Sequence, residues 1–289
     1  MTNALDASTF QAQQHMLDCG AYRLCCFTWP DPLGDIKADV LLVHGLGEHA
    51  GRYNHVASAL QNQGYKVHAY DHYGHGKSDG KRGDLLEKNQ LIADAKRVAN
   101  ALRKDRPLVL LGHSMGGLVV TRLLALQPEM AQAAVLSSPA LAVYTGWLDK
   151  LLLAAIPHLL PHLRVDNKLK INWLARDPKV VMAYQQDPLV HRKISALLGA
   201  WIVEQGSEAI AQASDWQTPS LLLYAGQDKL VDPTGSRLFT QQVSAHVLQT
   251  QCYADMYHEI FNDPEKERVL QVLIDWLNHQ FDGNKGYSN

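Results

Sequence analysis

Leu108-Val109-Leu110-Leu111-Gly112-His113-Ser114-Met115-Gly116-Gly117-Leu118-Val119-Val120 is the stretch that decides the fold. An apolar run with strand character ends at a glycine, crosses a serine and more glycine, and resumes as a run with helix character. Gly112 to Gly116 has the G-x-S-x-G spacing of a nucleophile elbow, a sharp turn that exposes a serine hydroxyl between a strand and a helix. Side chains at Gly112 or Gly116 would crowd such a turn, because only glycine lacks a Cβ. The turn also sets Ser114 at a helix N-terminus, where free N–H groups and the helix dipole favour negative charge. The pentapeptide is weak by itself; its flanks and its partners elsewhere in the chain give it weight.

Outward from the elbow, strands and helices alternate. Strands are predicted at His15–Cys19, Tyr22–Trp29, Asp39–Val43, Lys66–Tyr70, Leu108–Leu111, Ala133–Ser137, Ser220–Ala225 and Val247–Cys252. Helices are predicted at Arg52–Gln63, Gln90–Arg103, Met115–Leu126, Thr234–Gln242 and Pro264–Gln280. That order predicts an α/β fold with a mostly parallel sheet and helices on both faces. The alternation breaks between about Ala140 and Asp215, a helix-rich segment carrying Pro157, Pro161, Pro178 and Pro188. The expected organisation is a core of residues 1–139 and 216–289 with a helical cap inserted at 140–215. Trp147–Leu160 is apolar nearly all round, so it must bury most of its surface or touch lipid. Leu152 and Leu153 in it are candidate substrate contacts.

Bulk properties narrow the function. The chain has 289 residues, 46% of them apolar and 19% charged, with a net charge of −2. That is an ordinary enzyme composition with no basic face for nucleic acid. No apolar stretch reaches the roughly 20 residues of a membrane span, and Met1–Gln14 lacks the pattern of a secretory signal. A cytoplasmic protein is expected, with weak, reversible adsorption to lipid through the cap. Cys19, Cys25, Cys26 and Cys252 form no C-x-x-C and read as free thiols.

A serine nucleophile needs a base, an acid to orient that base, and donors for the oxyanion. On a strand–turn–helix scaffold the chain order is serine, acid, histidine. Asp228 follows the Ser220–Ala225 strand, and His258 follows the last strand, both in loops. Asp232 precedes Pro233 and a helix, so it reads as an N-cap rather than the acid. No metal is expected, because His72, His75 and Asp79 lack ligand spacing and no H-E-x-x-H occurs. Gly76-Lys77-Ser78 ends like a phosphate-binding loop, but Asp71 stands where that motif needs glycine. Gly45, Gly47 and Ala50, with Asp71 after the next strand, outline a dinucleotide site. The elbow with its Asp and His favours an oxyanion loop for those glycines, and no cofactor is expected.

His44-Gly45-Leu46-Gly47-Glu48-His49-Ala50-Gly51-Arg52-Tyr53 is far more specific. With Asp71-His72-Tyr73-Gly74-His75-Gly76-Lys77-Ser78, Gly112–Gly117, Asp187-Pro188-Leu189 and Tyr257-His258-Glu259, it resembles the monoacylglycerol lipase and lysophospholipase branch of the α/β-hydrolases, also grouped with serine aminopeptidase-like hydrolases. The likeness spans almost the whole chain. It implies an α/β-hydrolase fold and a serine ester hydrolase acting on a small amphiphilic acyl ester. It implies Ser114 as nucleophile, Asp228 and His258 as partners, and the Leu46 and Met115 N–H groups as oxyanion donors. It places Glu48 and Arg52 near the polar end of the pocket. Some members carry a histidine three residues after the catalytic one; Phe261 stands there. Lysophospholipase or broad carboxylesterase activity remains the alternative, peptidase activity a weaker one, and a non-catalytic binding protein on the same scaffold the reading from another class.

Overall fold

In the computed structural model, which describes residues 11–103, 106–144 and 156–282, eight strands form one sheet. They are β1 (Gln13–Asp18), β2 (Arg23–Thr28), β3 (Ala38–Val43), β4 (Tyr65–Tyr70), β5 (Leu108–His113), β6 (Ala133–Ser137), β9 (Ser220–Ala225) and β10 (Leu248–Tyr253). Their spatial order is β1-β2-β4-β3-β5-β6-β9-β10. The pairs β1–β2 and β2–β4 are antiparallel, and every pair from β4 to β10 is parallel.

The central parallel strands β5, β6 and β9 are buried along their whole length and mostly apolar because both faces are covered, whereas the edge strand β10 carries Gln249, Thr250 and Gln251. In β3, Leu41 and Val43 face one core while Val40 and Leu42 face the other, as the period of two requires. Leu108 and Leu110 of β5 join the first core, and Val109 and Leu111 the second. Helices α2 (Gln90–Leu102) and α3 (Met115–Leu126) close the first face. Helices α1 (Asn54–Gln61) and α7 (Lys266–Asp282) close the second. Helix α6 (Pro233–Gln242) adds Phe239 to the first core. Asp232 caps α6 by accepting from the Thr234 N–H at 2.9 Å, with Pro233 in its first turn. The helix expected from Arg52 begins at Asn54, because Ala50–Tyr53 winds as a tighter 3₁₀ turn capped by His49.

Between β6 and β9 the chain carries a two-stranded hairpin, β7 (Arg164–Asp166) with β8 (Lys193–Ser195), and helices α4 (Pro178–Gln186) and α5 (Ala196–Ala211). The hairpin had no signal in the sequence; three-residue strands are too short to show a period. Helix α5 packs its Leu198, Trp201, Ile202 and Ala209 into the first core. Leu152 and Leu153 lie outside the described residues. Among the described residues no helix is long and apolar enough to cross a membrane.

Candidate active site

Parallel strands deliver their carboxyl ends to one edge of the sheet, and ligands bind there. The loops after β3, β5, β9 and β10 carry Leu46, Ser114, Asp228 and His258 respectively. Strand order sets β3 beside β5 and β9 beside β10, with β6 alone between the two pairs.

The elbow is strained, as its motif demands. Ser114 has φ 54° and ψ −120°, a conformation side chains rarely adopt. Several bonds hold it there. Its N–H donates to the Ser137 carbonyl at 2.9 Å, and its carbonyl accepts from Leu118 and Ala140 at 3.1 and 2.9 Å. The glycines are required by space. A Cβ on Gly112 would meet the Gly116 carbonyl oxygen at 2.4 Å, and one on Gly116 would meet the Val43 oxygen at 2.0 Å. Met115 opens α3, so its N–H is among the first four that find no acceptor within the helix.

His258 lies 2.6 Å from Asp228, Nδ1 to Oδ2. Asp228 is fixed in turn, with Oδ1 accepting from the Leu230 and Val231 N–H groups, both at 2.9 Å. A carboxylate on Nδ1 makes that nitrogen the donor and leaves Nε2 as the free base. Burial works against a charged His258, but Asp228, and behind it Glu259 and Glu48, outweigh burial and raise its pKa above the ordinary imidazole value. His113 lies beside it, ring centroids 4.8 Å apart and the planes tilted by 49°. Burial, then the neighbouring His258, push His113 down to about 4, so it stays neutral.

Ser114, His258, Leu46 and Met115 all line one cleft of about 580 Å³, open to solvent. Much of its lining is apolar: Val143, Leu169, Leu174, Ile202, Leu230 and Val231. Its polar end is built around Glu48. The Gly45 N–H and the Tyr53 hydroxyl donate to Glu48 Oε1 at 2.7 and 2.6 Å. Arg52 Nη1 reaches Glu48 Oε2 at 2.6 Å, and its two Nη atoms fork onto Glu259 at 2.5 and 2.8 Å. Tyr184 of α4 covers the guanidinium, 4.8 Å from ring centroid to Cζ. Burial opposes ionisation of Glu48, yet Arg52, His113, and the bonds from Tyr53 and Gly45 hold its pKa below the usual value. The network contains two carboxylates and one guanidinium, a net charge of −1.

The structure therefore brings together Ser114, Asp228, His258, Leu46, Met115, Glu48 and Arg52. Glu259 and Tyr184 also shape the polar end, and the sequence reading gave neither a role. Glu259 had one signal, adjacency to His258; Tyr184 arrives from the insertion and had none. Phe261 packs into the second core, so no polar group stands at that position. Asp71, which matched a ribose-binding acid, is fully buried and accepts from the Ala50 and Lys77 N–H groups at 2.8 and 2.7 Å. Its carboxylate is consumed by the loops. Among the described residues no cluster of histidine, cysteine and acidic side chains is arranged to hold a metal ion.

A mostly parallel sheet flanked by helices, with Ser, Asp and His in loops at its carboxyl edge, defines an α/β-hydrolase. A monoacylglycerol lipase from Paleococcus ferrophilus superposes with a TM-score of 0.83 at 34% identity, over 89% of this chain and 99% of its own. The fold is shared with a soluble variant of the Saccharomyces cerevisiae monoglyceride lipase, solved with a substrate analog, at a TM-score of 0.88 and 17% identity over 97% and 99% of the two chains. The monoacylglycerol lipase of Mycolicibacterium smegmatis is 34% identical over 93% of this chain and 98% of its own. The family described as serine aminopeptidase, S33, matches residues 34–265. The chain belongs to that family, and within it to the ester-cleaving, lipase-like serine hydrolases.

Proposed function

We propose that the protein hydrolyses fatty acyl monoesters of neutral polyols, of which monoacylglycerol is the simplest, through an acyl-enzyme. The observation that carries this is the lining of the cleft at Ser114, which joins apolar side chains to a buried polar cluster of net negative charge.

His258 Nε2 takes the Ser114 proton as Oγ attacks the ester carbonyl, and Asp228 holds the imidazole through Nδ1. The Leu46 and Met115 N–H groups stabilise the oxyanion of the tetrahedral intermediate. The intermediate collapses as His258 returns the proton to the departing alcohol. Water, activated by the same nitrogen, then releases the fatty acid and restores Ser114.

The polar end favours hydroxyl-rich head groups. Glu48 and Glu259 are already committed to Arg52, whose guanidinium is shared and covered by Tyr184. A phosphate brought beside this net negative network would meet repulsion in a poorly solvated setting. A substrate α-amine would have to compete with Arg52 for the carboxylates, which argues against peptidase activity. We assign residues 140–215 to a cap over the apolar lining, anchored to the core through α5. We infer that its outer face adsorbs weakly to lipid, because Leu159, Leu160, Leu163 and Val165 stand exposed there beside Arg164, Arg192 and Lys193.

The test is a substrate panel: monoacylglycerols, lysophospholipids with zwitterionic and anionic heads, short nitrophenyl esters and aminoacyl amides. Monoacylglycerols are expected to give the highest kcat/KM. Faster turnover of an anionic lysophospholipid or of an aminoacyl amide overturns the assignment.

A further inference from the structure

Segment 187–191 of the insertion reaches back onto the loop that carries Leu46, touching it on both sides. On one side the His191 N–H donates to the Gly47 carbonyl at 3.0 Å. The approach is so close that a Cβ on Gly47, which sits at φ +75°, would lie 2.5 Å from the His191 carbonyl oxygen. On the other side His49 Nε2 lies 2.8 Å from Asp187 Oδ2. The tautomer follows from the opposite nitrogen. His49 Nδ1 accepts from the Gly51 N–H at 3.2 Å, so Nε2 carries the proton and donates to Asp187. Asp187 is itself set by a turn, its Oδ1 accepting from the Leu189 N–H at 2.8 Å.

We propose that Asp187 is a positioning residue for the oxyanion loop, acting through His49, with the His191–Gly47 bond as the second point of a clamp. The inference rests on Leu46 as an oxyanion donor, as proposed above. Leu46 is next to Gly47 and three residues from His49, in a loop rich in glycine. A loop with Gly45 and Gly47 flanking the donor has wide conformational freedom. The Gly45–Glu48 bond fixes its near end; the clamp fixes its far end. Oxyanion donors work by being in place before charge develops, and a shift of about 1 Å is enough to lose much of the effect. Asp187 is not among the residues that line the cleft, so its removal acts on the placement of the donor and leaves the lining side chains in place.

The experiment compares Asp187→Ala, Asp187→Asn, His49→Ala and the Asp187→Ala/His49→Ala double variant with the parent on a short nitrophenyl ester. For Asp187→Ala we expect kcat to fall about 10- to 100-fold, less than the roughly 10²–10³ for deleting an oxyanion donor outright. KM is expected to change less than about threefold, and a trifluoromethyl ketone, which forms a tetrahedral oxyanion, to weaken in proportion to kcat/KM. The double variant is expected to lose no more than the worse single variant, since both act through one contact. Asp187→Asn keeps the volume and the Leu189 turn but presents an N–H₂ donor to the His49 Nε2–H, so its kcat is expected to fall about as far as that of Asp187→Ala. Parent-like kcat in folded Asp187→Ala overturns the proposal, as does a loss confined to KM or to melting temperature. Should Asp187→Ala fail to fold, His49→Ala is read by the same criteria. Ser114→Ala runs beside these: residual activity there defeats the catalytic assignment itself, whereas an inert Ser114→Ala with unaffected Asp187 variants defeats only the clamp.

Discussion

The elbow and the insertion are built on opposite principles. At the Ser114 turn the backbone is held by main-chain bonds, among them one to Ser137 of β6, and by the absence of Cβ atoms at Gly112 and Gly116. In the insertion the contacts that matter are between side chains: Tyr184 on Arg52, Asp187 on His49, and Arg176 on Asp263 at 2.6 Å. Its outer face leaves Leu159 79% and Leu160 58% exposed, whereas Leu110 of β5 is 1% exposed. The elbow thus has no room for an added carbon at Gly112 or Gly116, whereas the insertion meets the rest of the molecule through paired side chains.

The largest expected effect lies in the frame. Ser114→Ala should lower kcat by about 10⁶ without loss of fold, as nucleophile removal does in serine hydrolases; steady-state kinetics and a melting curve check both halves. Asp228→Asn should cost about 10⁴ in kcat by allowing the wrong His258 tautomer. It should also shift the pH profile. Because the His258 pKa is raised above 6.5, kcat/KM should climb with pH through an apparent pKa above that value, as the base becomes neutral. In Asp228→Asn the midpoint should move down. The same shift has a stability side: the ion pair contributes fully below pH 6.5, and the contribution fades as pH rises through the raised pKa. A parent profile with its midpoint at or below 6.5 would remove the raised base from this picture.

Smaller effects should separate the crowded elbow from an open surface loop by stability. Gly116→Ala puts a carbon 2.0 Å from the Val43 carbonyl oxygen. It should cost about 3–5 kcal/mol, because backbone there has no room to move. Gly34→Ala, with nothing within 4 Å and φ +86°, should cost only about 1 kcal/mol, the conformational strain. Thermal melts give the contrast directly, and equal losses would break it. Asp94 sharpens it from another side: burial first raises its pKa, to about 6. A folded-state pKa above the unfolded one means stability falls as pH rises between about 4 and 6. Asp94→Asn should therefore stabilise by about 1–2 kcal/mol at pH 8 and by little at pH 4, as read from urea midpoints. The smallest effect belongs to the insertion's surface. Leu159→Asp with Leu160→Asp should leave stability within about 0.5 kcal/mol. It should weaken vesicle co-sedimentation about tenfold through lost apolar contact. Undiminished sedimentation would take the insertion out of membrane contact.

The sheet, its helices and the order of Ser114, Asp228 and His258 along the chain are legible in the amino-acid sequence. Strands β3, β5 and β9 are continuous apolar runs, Asp232-Pro233 marks a helix start, and the elbow needs its glycines wherever it occurs. These are local constraints, readable within a few residues. Tertiary structure alone decided what the polar end of the cleft is. Glu48, Arg52, Tyr184 and Glu259 come from two loops and a helix spread over more than 200 positions, and only folding makes Arg52 the shared partner of two carboxylates. It likewise gave α5 to the core, turned Phe261 into packing, and brought Asp187 onto His49 across 138 positions. Pairing between distant side chains has no period and no local preference, so no window of sequence carries it.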